Sequence, residues 1–242
     1  MKVFKKIYIK FSHFFSIEKI KHQYYFRFLK KHYCNGTGVE IGPGENPYLG
    51  NNKNNHFVDL YPPKTKLNNF INSDASKIPV DDSFFDFLIS AHCLEHCVDP
   101  IKVLNEWKRI IKKKGKIILI LPHCERTFDK KRKKSNINNH INDFNNAVCV
   151  DDYINEDGSH RHILEESAEV SFENFNHSWE KKARIDEEKW DFKWLSETGN
   201  IHYHVWTQNE IIDLLSYIDL QIIYCNPEVP GRLDSFIVIG QK

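Results

Sequence analysis

The stretch Gly38-Val39-Glu40-Ile41-Gly42-Pro43-Gly44 decides how this chain is read, because it sets a short apolar strand directly against a glycine-rich turn. Nucleotide-binding α/β folds begin this way. Glycine lets the backbone approach a ligand closely and adopt conformations that a Cβ would forbid. A dinucleotide cradle would space three glycines so that a helix N-terminus could receive a pyrophosphate. Here the turn continues Glu45-Asn46-Pro47. That acidic, proline-bearing continuation is a poor phosphate cradle and a reasonable neighbour for a cation.

Downstream of this turn, short apolar runs alternate with longer helical ones as far as His123, the pattern of βαβ units around a parallel sheet. Strands are predicted at Gly38–Ile41, His56–Leu60, Phe70–Asn72, Phe85–Ile89 and Lys116–Leu121. Between Asp99 and Lys113 the residues Ile101, Leu104, Trp107, Ile110 and Ile111 recur at helical spacing. Asp99-Pro100 supplies the cap and the first-turn proline, and Gly115 is expected to stop the helix. After Pro122 the regularity fades, and residues 124–200 read as a charged, Asn- and His-rich insertion holding a helix or two and serving as a substrate lid. Regular structure returns with a helix over Thr207–Ser216, where Thr207 and Glu210 form a capping box, and with strands at Gln221–Cys225 and Ser235–Gly240.

With 242 residues, 40% of them apolar, the chain can bury one substantial core, so a single domain over residues 34–242 with a large insertion is expected. The 34 basic and 33 acidic side chains nearly cancel, which argues against a nucleic-acid partner held by a strong positive field. Basic charge is concentrated in residues 1–33, where lysines and Arg27 face only Glu18 and aromatics are interleaved. This segment reads as a basic amphipathic helix that either caps the domain or touches a membrane surface. No apolar run approaches the length of a membrane span, and lysines interrupt the run that a signal peptide would need, so a cytoplasmic location is expected. The six cysteines lack the density of a disulfide framework, and reduced thiols are the default.

Val39–Gly44, Val58-Asp59-Leu60, Asp74-Ala75 and the run from Ile78 to Pro122 resemble successive motifs of class I S-adenosylmethionine-dependent methyltransferases. The resemblance implies an α/β fold: a Rossmann-like seven-stranded sheet, mostly parallel with its last strand antiparallel, helices on both faces, and a helical or irregular insertion after the fifth strand. It implies S-adenosylmethionine as cofactor. Glu40 would brace the loop or reach the methionine amino group, and Gly42, Pro43 and Gly44 would face the methionine part. Asp59 and Leu60 would meet the ribose, Asp74 and Ala75 the adenine, and Ala91 and His92 would complete the set at the carboxyl edge of the sheet. Asn46 stands where many relatives have a third glycine, which leaves the path of the loop open.

Methyl transfer is an in-line displacement, so the chain's main task would be to hold a nucleophile in near-attack position with little water. A hydroxyl nucleophile must also lose a proton, and histidine is the usual acceptor. Three groups of histidines are candidates. In Ala91-His92-Cys93-Leu94-Glu95-His96-Cys97, His96 is read as catalytic or as a packing residue. His92 with His96, and Cys93 with Cys97, have the i, i+4 spacing of metal ligands, yet adjacent side chains diverge and no metal centre is expected. His202-Tyr203-His204-Val205-Trp206-Thr207 resembles an element of polysaccharide-locus methyltransferases. An extended backbone there puts His202 and His204 on one face, with His204 the favoured base or else bonded to a backbone carbonyl. His160 and His162, in the insertion, are assigned to the surface. Arg126-Thr127-Phe128-Asp129 also resembles that subfamily, and Arg126 could clamp a substrate phosphate or carboxylate. The neighbouring run Lys130–Lys134 would widen an anion site or simply be solvated.

The resulting expectation is O-methylation of a small-molecule or nucleotide-linked acceptor, such as a sugar, a sugar nucleotide or a phosphate-like group, for capsule or lipopolysaccharide biosynthesis. N-methylation, methylation of a lipid or quinone precursor, and a non-catalytic S-adenosylmethionine-binding module remain open beside it. A nicotinamide-dependent dehydrogenase fits least, because the third glycine and a Tyr-x-x-x-Lys arrangement are missing.

Overall fold

The computed structural model describes residues 2–154, 183–185 and 190–242. His160 and His162 lie outside the described residues. Helix α1 (Lys2–Tyr33) leads into β1 (Gly38–Ile41), β2 (Asn55–Asp59), β3 (Phe70–Asn72) and β4 (Phe85–Ala91). Helix α2 (Pro100–Ile110) and β5 (Ile111–Pro122) follow. Short helices α3 (Ile137–Asn145), α4 (Val150–Tyr153) and α5 (Phe192–Glu197) precede α6 (Gln208–Tyr217), β6 (Gln221–Asn226) and β7 (Ser235–Gln241).

The seven strands form one sheet in the order β3-β2-β1-β4-β5-β7-β6. The first five are mutually parallel, and β7 runs antiparallel to both β5 and β6. This is the Rossmann-like arrangement with a reversed last strand that the motifs implied. Alternation along β5 assigns its two faces: Ile117, Leu119 and Leu121 pack with Leu104, Trp107 and Leu214 of α2 and α6. Ile118 and Ile120 pack on the opposite face with Phe26 and Leu29 of α1. Both layers are close to fully buried, and the central strands carry mostly apolar residues on both faces, as a parallel sheet covered by helices requires.

The start of α2 matches the sequence signal: Asp99 caps the helix by accepting from Lys102 N at 2.9 Å, with Pro100 in the first turn. Its end does not. The helix stops at Ile110, and Ile111 already pairs with Phe85 of β4. Ser83 N and Phe84 N donate to the carbonyls of Arg109 and Ile110, so the neighbouring strand terminates the helix. Gly115 serves a different need: a Cβ there would sit 2.2 Å from Ile111 Cγ2 and 3.0 Å from Asp86 O.

The described part of the insertion packs a small core of Tyr153, Ile154, Trp190, Phe192 and Leu195 against Ile201 and Tyr203, which follow it. At the N-terminal end, α1 is fastened to the last strand connection. Tyr25 and Tyr224 share a hydroxyl hydrogen bond of 3.0 Å, and His22 Nδ1 donates to Pro230 O at 3.1 Å. Gly231 (φ +80) has α1 so close that a Cβ would meet Glu18 O at 2.3 Å.

Candidate active site

The carboxyl ends of β1, β2 and β4 open into a cleft of about 660 Å³. It lies beside β1, where the strand order turns from β2 to β4, the switch point at which open α/β sheets bind ligands. Gly42 (φ +70) and Gly44 (φ +53) line it in the left-handed conformation. A Cβ on Gly42 would lie 2.7 Å from Cys93 Cβ, whereas one on Gly44 would project into space with nothing within 4 Å. That open space is a cradle for a ligand, which glycine leaves unfilled.

Glu40 governs the loop from beneath. It is buried, it does not line the cleft, and its two carboxylate oxygens accept from Tyr48 N at 2.9 Å and Leu49 N at 2.8 Å. Of the two roles foreseen for it, the geometry gives bracing of the loop, and the two bonds define the path past Asn46. Burial raises its pKa to about 7, against the lowering effect of the two N–H donors. Pro43 and Ala91 do not line the cleft either, and Ala91 packs into the core on the α1 face.

Asp59, Leu60, Asp74, Ala75 and His92 do line it. Asp59 accepts from Tyr61 N at 3.0 Å and Asp74 from Ser76 N at 2.7 Å, so each carboxylate is held by the turn that follows it. The set is compatible with an adenosyl sulfonium: two carboxylates that could accept from ribose and adenine donors, a glycine turn with open space beside it, and net negative character that suits a cation.

The three catalytic candidates part company. His96 lines the cleft, and its Nδ1–H donates to Ile201 O at 2.6 Å, which leaves Nε2 as the lone-pair nitrogen. Burial lowers its pKa to about 3, with repulsion from His202 adding to the effect. His204 is buried outside the cleft, where its Nε2–H donates to Val98 O at 2.8 Å and its ring stacks on Trp206. This is the backbone-bonded arrangement rather than that of a base facing substrate. Arg126 also lies elsewhere: it donates to Pro227 O and forms a 3.7 Å ion pair with Glu228, fastening the connection between β6 and β7.

The residue in the His202–Thr207 element that reaches the cleft is Tyr203, between the two histidines. Its N–H donates to Glu95 O at 2.8 Å, and its hydroxyl bonds to Ser196 Oγ. Tyr61, Ser196, Thr198 and Cys149 were also missed as lining residues. Alternation along an extended segment was the available signal for Tyr203, since two histidines turned inward leave the residue between them turned outward. The elements containing Asp129 and His202 do come together. Arg132 bridges them, donating to Asp129 Oδ1 at 3.0 Å and to His202 O at 2.9 Å.

Residues 22–119 match the family described as "Methyltransferase domain". Over 124 residues the chain is 29% identical to an uncharacterized protein of Methanocaldococcus jannaschii, covering 49% of this chain and 60% of that one. The chain therefore spans less than two thirds of that relative's length. Among solved structures it resembles a candidate S-adenosylmethionine-dependent methyltransferase from Listeria monocytogenes, with TM-score 0.52, 12% identity and coverage of 94% and 99% of the two chains. It also resembles the candidate methyltransferase in a Haloferax volcanii complex with the Trm112 methyltransferase activator, with TM-score 0.51, 11% identity and coverage of 96% and 95%.

Proposed function

We propose that this S-adenosylmethionine-dependent methyltransferase acts on a hydroxyl or phosphate-like oxygen of a small polar acceptor, a sugar or a sugar nucleotide, in capsule or lipopolysaccharide biosynthesis. The observation that carries the reading is His96 Nε2, a lone-pair nitrogen on the cleft wall whose ring is held by Ile201 O. S-adenosylmethionine supplies a methyl carbon already activated by its sulfonium, so the protein's share of the work is placement and exclusion of water.

Asp59 and Asp74 would hold the adenosyl half, and the Gly42–Gly44 turn would leave room for the methionine half. The acceptor would enter between the sheet edge and the insertion, whose Ser196 and Thr198 offer hydroxyls and whose Val148 and Val150 offer apolar wall. His96 Nε2 would accept a hydrogen bond from the acceptor hydroxyl, aim an oxygen lone pair at the methyl carbon and take the hydroxyl proton as the oxygen is methylated. The glycan-precursor assignment draws support from the Arg126–Asp129 and His202–Thr207 elements, which resemble polysaccharide-locus methyltransferases and pack against each other through Asp129, Arg132 and His202.

The test is transfer of a labelled methyl group from S-adenosylmethionine to a panel of sugar nucleotides, with the product's methylated atom located by mass spectrometry. A product methylated on oxygen supports the reading. Methylation on nitrogen, or of quinone or lipid precursors alone, overturns it.

A further inference from the structure

Glu95 follows the tip of β4, in the turn Leu94–His96, and is the one carboxylate among the described residues with both oxygens buried and without a hydrogen-bond partner. Its side chain is fully buried, and among those residues neither carboxylate oxygen has a hydrogen-bond partner. A buried carboxylate without donors is costly and calls for a reason.

Its neighbours deepen the question. His92 Nδ1 is 3.6 Å and His96 Nε2 3.9 Å from Glu95 Oε1. Ser235 Oγ donates its proton to Asp234 at 2.8 Å, so it accepts from His92 Nε2–H, also at 2.8 Å, which leaves Nδ1 of His92 with a lone pair. His96 gives its Nδ1–H to Ile201 O, which leaves Nε2 with a lone pair. Two nitrogen lone pairs therefore turn toward a carboxylate, an arrangement of acceptors that a cation between them would satisfy. The third ring, His202, has its Nδ1 2.7 Å from Asp129 Oδ2, which leaves Nε2 for the interior. Ligand atoms of Glu95, His96 and His202 lie within 4.8 Å of one another.

We propose that Glu95, His96 and His202 bind one divalent first-row transition-metal ion in the wall of the cleft, with His92 as a fourth donor within reach. Two imidazoles and one carboxylate are a donor set that zinc and non-haem iron take with positions left open. The outer contacts follow the same logic, since metal-bound histidines give their other N–H to a carboxylate or a carbonyl, here Asp129 and Ile201 O. Donors of a tetrahedral ion at zinc–nitrogen bond lengths are about 3.4 Å apart, so the three side chains need only draw in by about an ångström. Because His92 and His96 line the cleft, the open positions would face an acceptor oxygen, and with the ion bound that contact would replace the hydrogen bond from the acceptor hydroxyl to His96 Nε2. The sequence reading weighed His92, His96, Cys93 and Cys97 as neighbours in sequence, whereas His202 arrives from more than a hundred residues away.

The inference holds whatever the acceptor, and its test reads metal rather than methyl transfer. The full chain is stripped with a chelator and titrated separately with Zn²⁺ and Co²⁺, following metal content after desalting, melting temperature and the visible absorption of cobalt. The expected result is one ion per chain, a raised melting temperature, and a cobalt spectrum that Zn²⁺ abolishes. Glu95→Gln and His202→Asn should each weaken binding by at least about a hundredfold, and Asp129→Asn by about 10- to 100-fold. No retained ion in the wild-type protein, with carbonyl-region infrared showing a protonated Glu95, would overturn the proposal. So would binding unchanged in folded Glu95→Gln and His202→Asn proteins. Should a variant fail to fold, the wild-type cobalt spectrum and histidine ¹⁵N shifts on zinc addition decide the matter. Calorimetry with S-adenosylhomocysteine separates a failure here from a failure of the methyltransferase reading.

Discussion

His202 Nδ1 lies 2.7 Å from Asp129 Oδ2, joining residues 73 apart in sequence, and both side chains are almost wholly withdrawn from solvent. Asp129 also takes the guanidinium of Arg132, itself only 4% exposed. The carboxylate thus holds two buried donors at the junction between the insertion and the sheet edge. Desolvation raises its pKa, but the bonds from His202 and the charge of Arg132 outweigh this and bring it to about 2.

Asp129→Ala leaves Arg132 and His202 buried without their shared partner. Breaking a buried ion pair from one side costs about 3–5 kcal/mol. A urea unfolding midpoint should therefore fall sharply, and an unchanged midpoint would show that the cluster adds nothing to stability.

His96→Gln and His204→Ala should fail in different ways. The His96 change should lower turnover by about 100-fold or more while leaving S-adenosylhomocysteine affinity within a few-fold. The His204 change removes a ring packed on Trp206 and a bond to Val98 O, so it should cost about 2–3 kcal/mol of stability and leave the turnover of folded protein nearly intact. Rates normalised to folded fraction decide between them.

Gly44→Ala tests the cofactor cradle. With φ at +53 the new Cβ costs about 1 kcal/mol in backbone strain, and it points into the cleft rather than at protein. A loss of about tenfold in S-adenosylhomocysteine affinity is expected by calorimetry, corresponding to about 1.4 kcal/mol. Affinity unaltered at both Gly44→Ala and Asp59→Ala would remove the cofactor from this edge of the sheet.

Glu40 gives a pH signature. Its folded pKa of about 7 stands above the ordinary 4.5, so its protonation favours the folded state. That contribution is fully present below about pH 4.5 and is lost as pH rises through about 7, amounting to about 3 kcal/mol at most. Comparing unfolding midpoints of wild type and Glu40→Gln from pH 4.5 to 8 should show the slope in the wild type and its flattening in the variant.

The sheet was legible because its signals are local. Alternation, the Asp99-Pro100 start and the Thr207–Glu210 capping box, all found in the structure, depend on a few neighbouring residues. The end of α2 was not, since a neighbouring strand stops it before Gly115 is reached. Site residues divide along the same line. Gly42, Gly44, Asp59 and Asp74 follow from their place at strand ends, whereas His204 and Tyr203 exchange roles according to which side of one extended segment faces inward. Asp129 and Ile201 fix the rings of His202 and His96, and that decision is made by partners far away in sequence.

The seating of α1 has a consequence for the order of folding. Its anchors lie far along the chain: Tyr25 and Tyr224 are 199 residues apart, His22 and Pro230 are 208 apart, and the bare backbone of Gly231 receives Glu18 O. Contacts between such distant positions carry a high loop-closure cost and close after the local units have formed. Refolding from denaturant should therefore show late burial of Tyr25 and Phe26.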